Sequence, residues 1–401
     1  MTLESPATLL LALSHLTAVI AIATRYGHTS YVRKLTTPHS AIIQLIIGAL
    51  ALSLEGTLGL SLHTTILFAL YLLILQTTLI LTIYQAIKHH KPWTFTAIHL
   101  GILLIIYGAY WGAPDVTRAK LMLTPHWPQN TAYTTDGHNV PLPFTLQLTD
   151  FHIDYYDDHT SPRQYTSHLL ADTTELTTSV NAPATYRGYT ILQSGYDRQA
   201  QRYTILQIVR EPWLPLVYLG MALLALGSLR QFIGTWRPKI TIPTLIILTI
   251  AFTIFSIAKI NFSTLMPALR SWWFVPHLFL YMVAYSLMAM SLISRLSQRR
   301  YPQLQSYTHS LFRSSSALLI IGMLTGAVWA RQAWGDYWSW DAKENWAATT
   351  WLLSLIPLHL SNHRSSRYTI VLLLTFLALQ ITWYGVNYLP AAKDSLHTYN
   401  L

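Results

Sequence analysis

Long apolar blocks separated by short basic connections set the pattern of this chain. Mostly hydrophobic runs recur at close to the ~20 residues that a spanning helix needs. They lie at about 5–24, 40–55, 64–87, 96–112, 213–233, 242–258, 276–294, 314–331, 345–361 and 368–388. The pattern predicts a polytopic α-helical membrane protein with about ten transmembrane helices. The first block lacks a basic leading region and reads as an uncleaved helix.

Between the fourth and fifth blocks the period changes. "FTLQLTDFHIDYY" alternates Phe144, Leu146 and Leu148, then Phe151, Ile153 and Tyr155, which is strand period. "YTILQ" occurs at Tyr189–Gln193 and again at Tyr203–Gln207, which predicts a hairpin with a longish loop. Residues 113–212 therefore read as one β-rich domain outside the membrane, and as a docking module in preference to a catalytic one. They hold no nucleotide-binding loop, no G-x-S-x-G and no H-E-x-x-H. The expected organisation is helices over 1–112, the β-rich domain over 113–212, a helix and cytoplasmic linker over 213–241, and a second transmembrane domain over 242–401.

Composition agrees with membrane residence: the 401-residue chain is 52% hydrophobic and 10% charged. Lipid is its immediate environment, so the net charge of +10 is a topology signal and not a sign of nucleic acid. Arg25, Arg33 and Lys34 form one basic connection, and Lys88 and Lys91 another. Further connections hold Arg230, Arg237 and Lys239, then Arg295, Arg299, Arg300 and Arg313, then Arg364 and Arg367. Placing all of these in the cytoplasm satisfies the positive-inside rule. The amino terminus, residues 113–212, 259–275 and 332–344 and the carboxy-terminal tail then face outward. The chain has no cysteine, which excludes a disulfide, an iron–sulfur cluster, a thiol nucleophile and a C-x-x-C-H of its own.

Seventeen histidines are present, most of them in connections where they read as solvated polar residues. His99 and His359 lie inside apolar blocks, where an ionisable residue is a functional candidate. Counted down from Gly112 and Asn345, the outer ends of their blocks, both sit ~20 Å deep at ~1.5 Å per residue. Two neutral imidazoles at one depth can supply both axial ligands of a haem iron; singly, each could equally bond a neighbouring carbonyl. His277 and His397 fall on the outer side and make a candidate second ligand pair.

The densest chemical signal is "WGDYWSWDAKENWAATTW", from Trp334 to Trp351. Six of the fourteen tryptophans fall between Trp329 and Trp351, too clustered for an interfacial belt spread over many helix ends. Trp334, Trp338, Trp340 and Trp346, with Asp341, read as a platform for a large flat apolar ring bearing carboxylates. Arg331, Lys343, Arg270 and Lys259 are the outward cations that could meet those carboxylates.

Those residues carry a family resemblance. "WGDYWSWDAKENWAATTWLLSLIPLH" resembles the WWD signature of the haem-handling proteins of cytochrome c maturation, and "GVNYLPAAKDSLHTY" resembles the ending of the CcsA (ResC) subunit of system II. "IHLGILLIIYGAYWG", "LPFTLQLTDFHIDYYDDHTSPRQYTSHL" and "VNAPATYRGYTILQSGYD" resemble the partner subunit CcsB (ResB). The whole looks like a compact, naturally fused cytochrome c synthase of the CcsBA type. "PAAKDSLHTY" carries Ala, Ala, Lys and Asp where the family has a short glycine-containing link, which bears on how His397 is presented.

The resemblance implies a haem lyase of the inner membrane, with the WWD motif and β-rich domain facing the periplasm. It implies that haem b enters from the cytoplasmic side and is held by His99 and His359. It then passes to His277 and His397 against the WWD platform and is joined by two thioethers to the C-x-x-C-H of a secreted apocytochrome c. A thioredoxin-like thiol reductase is the implied partner, because a cysteine-free chain cannot reduce the thiols. A haem exporter without covalent chemistry and a b-type electron carrier remain the alternatives that the residues allow.

Overall fold

The computed structural model describes residues 6–197, 203–235 and 264–395, together with Ile242, Ile246, Ile250 and Ile254. Ahead of the β-rich domain stand α1 (Pro6–Tyr26), the short α2 (Ser30–Leu35), α3 (Pro38–Leu58), α4 (Ile66–Lys88) and α5 (Trp93–Gly112). After it come α6 (Leu214–Thr235), α7 (Phe274–Ser297), α8 (Gln305–Trp334), α9 (Ala342–His359) and α10 (Ser366–Trp383).

Eight of these, all but α2 and α9, are long and apolar enough to cross a membrane, counted among the described residues. α9 occupies the ninth predicted block, but it opens on Lys343, Glu344 and Asn345 and so is less apolar. The predicted block at 242–258 lies mostly outside the described residues.

Two boundaries depart from the hydropathy pattern. α8 begins nine residues before the predicted 314, at Gln305. Its polar first half is satisfied by neighbouring helices: Ser315 Oγ donates to the Ala284 carbonyl at 2.7 Å, and Ser316 and Ser354 hydroxyls meet at 2.8 Å. Such interhelical bonds let small polar residues stay inside a bundle. α10 stops at Trp383, and the chain tightens into 3₁₀ turns at Gly385–Tyr388 and Pro390–Asp394.

The helices pack as two interlocked groups. α5 lies along α6, α6 along α8, and α8 along α7, while α9 is held between α3 and α10. The α3–α9 contact joins the first and last quarters of the chain; Thr349 Oγ1 donates to the Ala49 carbonyl at 3.4 Å.

The β-rich domain is one eight-stranded antiparallel sheet, in the order β5-β4-β3-β2-β1-β8-β7-β6. Its strands are β1 (Thr117–Leu123), β2 (Gln129–Tyr133), β3 (Asn139–Tyr155), β4 (Pro162–Ala171), β5 (Thr174–Ser179), β6 (Ala184–Tyr186), β7 (Tyr189–Tyr196) and β8 (Thr204–Arg210). The repeated "YTILQ" segments lie on β7 and β8, which pair antiparallel with Ile191 opposite Ile208. The sheet curls until its ends meet: Thr178 Oγ1 on β5 donates to the Ile191 carbonyl on β7 at 2.8 Å. Leu121, Phe144, Leu146, Leu148, Leu169 and Leu206 fill the interior, on the alternate positions that strand period directs inward.

This domain sits on the carboxy-terminal end of α8. Asn181 Nδ2 donates to the carbonyls of Pro267 and Ala268, at 2.8 and 3.1 Å, and Trp329 Nε1 donates to the same Ala268 carbonyl at 2.9 Å. Gly335 ends α8 with φ of 88°, and a Cβ there would come within 2.8 Å of the Gln207 side chain. Gly335→Ala therefore meets backbone strain, and the Gln207 side-chain amide must also shift to make room, a cost of about 1–3 kcal/mol. Faster proteolysis of the β-rich domain in the G335A membrane protein is the expected readout, and an unchanged rate would mean that the domain docks without this close approach.

Candidate functional site

His99 and His359 come from helices far apart in sequence. His99 lies in the second turn of α5, and His359 is the last residue of α9, just after Pro357. The two imidazoles are near enough to interact electrostatically. Each makes the same local bond: His99 Nδ1 donates to the Phe95 carbonyl and His359 Nδ1 to the Leu355 carbonyl, both at 2.8 Å. A proton held on Nδ1 leaves the lone pair on Nε2, the tautomer an imidazole needs to bind a metal. The Phe95 ring stacks on His99 with centroids 4.0 Å apart, further fixing its plane.

On the other face, His277 opens α7 and rests against α8. Its Nδ1 donates to the Gly322 carbonyl at 2.8 Å, again leaving the lone pair on Nε2. The contact is possible because position 326 is glycine; a Cβ there would lie 2.6 Å from the imidazole. Trp329 flanks the ring at 5.9 Å, and Trp334 follows at 5.1 Å from Trp329. His397 and Lys259 lie outside the described residues.

The WWD segment is a capped helix start. Asp341 is the N-cap of α9, its Oδ1 accepting from the Glu344 amide at 2.8 Å. Glu344 reaches back to the Ser339 amide at 2.7 Å. These two bonds satisfy the Glu344 and Ser339 amides, and they place carboxylates at the positive end of the helix dipole. The second Asp341 oxygen accepts from Ser395 Oγ at 2.9 Å. Ser395 precedes His397 by two residues, so the carboxy-terminal segment is tied to the motif at this point.

Trp340 adopts φ of 62°, a left-handed conformation that is unusual for a bulky residue and clusters at functional sites. Asn345 Nδ2 holds its carbonyl at 2.8 Å. Trp338 meets Trp340 edge-on at 6.1 Å. Beneath them, buried Asn345 Oδ1 and Trp346 Nε1 have no hydrogen-bond partner among the described residues.

The sequence-derived cations divide. Lys343 is half-buried and makes no hydrogen bond or ion pair among the described residues; burial lowers its ammonium from the ordinary value, with Asp341 opposing. Arg331 is 4% exposed and already engaged. Its Nε lies 3.0 Å from Glu211 Oε2, and Nη1 donates to the Gly335 carbonyl at 2.8 Å. Arg270 is exposed and leans toward the β-rich domain, its guanidinium 5.9 Å from the Tyr156 ring.

Two features escaped the sequence reading. Glu211 is the hub of a charge cluster joining the β-rich domain to the motif. It pairs with Arg331 and with Arg118 at 2.7 Å, and Arg118 also pairs with Asp336. Burial raises the Glu211 carboxyl above its ordinary value, against the pull of the two arginines. The second feature is Glu55 on α3, which holds His63 directly against Trp340. An acidic residue inside an apolar block was the available signal for it.

Comparison with known proteins bears on this arrangement. Residues 213–392 match the family described as Cytochrome C assembly protein, and residues 89–201 match the ResB-like family. The chain thus joins a stretch similar to the ResB-like family to a stretch similar to the Cytochrome C assembly protein family. It is similar to the cytochrome c biogenesis protein CcsA of Lactuca sativa, 42% identical over 102 residues, which are 25% of this chain and 32% of that protein. The CcsA of Eucalyptus globulus subsp. globulus is 41% identical over 102 residues, 25% of this chain and 32% of the relative. The CcsA of Amborella trichopoda is 42% identical over 100 residues, 24% and 31% of the two chains. The match spans about a third of the length of these curated relatives. His99 falls within the ResB-like match, and His277, the WWD segment and His359 fall within the Cytochrome C assembly match. His99 and His359 therefore come from different matched stretches.

Proposed function

We propose that this protein is a haem lyase. It takes haem b from the cytoplasmic side of the inner membrane and attaches it, at the outer WWD platform, to the C-x-x-C-H of a secreted apocytochrome c. The observation that carries the reading is the His99–His359 pair: one imidazole from each matched stretch, both bonded through Nδ1 to their own helix and both presenting Nε2. Such a pair suits bis-imidazole ligation of an iron held between helices.

His277, presented in the same way, supplies one outer ligand, and His397 supplies the second, on the segment that Ser395 ties to Asp341. The WWD indoles give a broad apolar face, and the half-buried Lys343 gives a cation for a haem carboxylate. The apocytochrome brings its own histidine, which displaces an outer ligand as the product leaves. Its thiols arrive reduced by a thioredoxin-like partner.

The test is co-expression with a secreted C-x-x-C-H reporter in a host stripped of its own maturation system. Haem that stays on the denatured reporter is the expected result. A haem-containing membrane protein that leaves the reporter bare, even with added thiol reductant, would point to export or electron transfer instead.

Ser395→Ala removes the tie to Asp341. It is expected to slow attachment about 5–30-fold, the equivalent of ~1–2 kcal/mol for one charge-assisted hydrogen bond, while leaving the haem content of the inner pair unchanged. Equal loss of both would show that the bond holds the whole fold rather than the outer segment.

A further inference from the structure

The short connection between α3 and α4 brings a second kind of histidine to the WWD motif. Glu55, 4% exposed, projects from the last turn of α3. Its Oε2 accepts from the His63 amide at 3.0 Å, and its Oε1 accepts from His63 Nδ1 at 2.5 Å. The imidazole lies flat on the Trp340 indole, with centroids 4.5 Å apart and planes within 5°. Phe68 closes the edge of the same indole at 5.6 Å.

This differs from the iron-binding histidines in one respect. Those donate Nδ1 to neutral carbonyls, whereas His63 donates Nδ1 to a buried carboxylate. A carboxylate behind an imidazole fixes its tautomer and its orientation, with Nε2 as the proton-accepting atom; it is the arrangement that activates nucleophiles in hydrolases. Stacking on an indole adds cation–π stabilisation once the ring is charged. The His63 side chain is 26% exposed, so a partner can reach it.

The ring is also held more firmly than a loop contact requires. Its indole partner sits in a left-handed backbone conformation, with the Trp340 carbonyl bonded to Asn345. Other titratable groups on the elements around it are Tyr71 on α4, Asp341, Lys343 and Glu344 at the start of α9, and Lys393 on the 3₁₀ turn that packs against α3.

We propose that Glu55 and His63 are the proton-accepting pair for the thiols of the incoming C-x-x-C-H segment, a role distinct from iron ligation. The proposal rests on the haem-attachment reading above. A thiol with a pKa of about 8.5 is only a few per cent ionised at neutral pH, so a base beside the platform answers a need of the reaction. His63 Nε2 takes the proton from a cysteine sulfur. The sulfur lone pair forms a C–S bond to the inner carbon of a haem vinyl group, and His63 returns the proton to the terminal carbon. One S–H bond and one C=C π bond give way to one C–S and one C–H bond. Oxidant and reductant are not consumed.

The test uses the full-length protein, ferrous haem and a chemically reduced C-x-x-C-H peptide, and follows covalent attachment from about pH 6 to pH 9. His63→Gln keeps a donor for Glu55 and loses the base. It should attach haem about 10²–10⁴-fold more slowly than the parent protein at neutral pH. The deficit should shrink about tenfold per pH unit as the peptide thiols ionise by themselves, up to their pKa of about 8.5. Glu55→Gln should give a smaller deficit with the same pH trend. The bound-haem absorbance of both variants should match the parent protein, which reports that the ligand sites have formed. A deficit constant across pH would assign His63 a structural role under Trp340 and overturn the proposal, as would wild-type attachment by His63→Gln at neutral pH. Failure of the parent protein itself to attach haem would instead overturn the lyase reading, and this proposal with it.

Discussion

Replacing His99 or His359 with glycine is expected to leave the purified protein holding haem about 10–100-fold more weakly, and added imidazole is expected to restore part of it. The magnitude follows from what a correctly oriented imidazole contributes to a metal site. Each ring presents Nε2 because its Nδ1 proton is committed to a carbonyl four residues back, at 2.8 Å in both cases. Glycine deletes the imidazole and leaves a space of the same shape, so a diffusible imidazole can enter. The absorbance spectrum of the membrane protein in detergent, with and without imidazole, is the measurement. If neither variant loses haem, the inner pair is not an iron site, and the two rings are buried polar residues satisfied by their own helices.

Glu211→Ala is expected to have the largest effect on the integrity of the outer face. Arg331 is 5% exposed at its side chain and loses its only anionic partner among the described residues, leaving a buried charge uncompensated. That situation typically costs about 3–5 kcal/mol. Arg118→Ala should cost only up to ~1 kcal/mol at the surface, because its side chain is 41% exposed and water replaces what is lost. The contrast is the diagnostic part: protease cleavage between the β-rich domain and α6 should accelerate markedly for Glu211→Ala and little for Arg118→Ala. Similar rates for the two would mean that the charge cluster is dispensable and the hydrogen bonds from Asn181 and Trp329 hold the domain.

Much of the fold was legible because hydropathy and period are local. Most of the apolar blocks that fall among the described residues became helices within a few residues of their predicted ends, and the alternation in "FTLQLTDFHIDYY" became β3. α8 was underestimated because Thr308 and Ser310 look like loop residues until their hydroxyls are seen to meet Ser294 and the Thr235 carbonyl on neighbouring helices. Of the site, the matched depth of His99 and His359 could be counted from the sequence at ~1.5 Å per residue, whereas the surroundings of Arg331 could not. Its place beside Trp334 suggested an outward cation, but which carboxylate reaches it depends on where the β-rich domain docks, more than a hundred residues away. Asp341 read as part of the platform; the structure adds that it caps α9 and anchors Ser395, two duties that show only when hydrogen bonds are known.

The clasp between α3 and α9 has a consequence for the order of synthesis. Ala49 accepts its bond from a threonine 300 positions later in the chain. At about 5–20 residues per second, a ribosome needs roughly 15–60 s to supply that partner. Through that interval α3 waits in the bilayer with a carboxylate near its carboxy-terminal end. Glu55 is covered at once, because His63 emerges only eight residues behind it. The charged end of the waiting helix is thus sealed locally, long before the last quarter of the chain arrives to build the tryptophan platform over it.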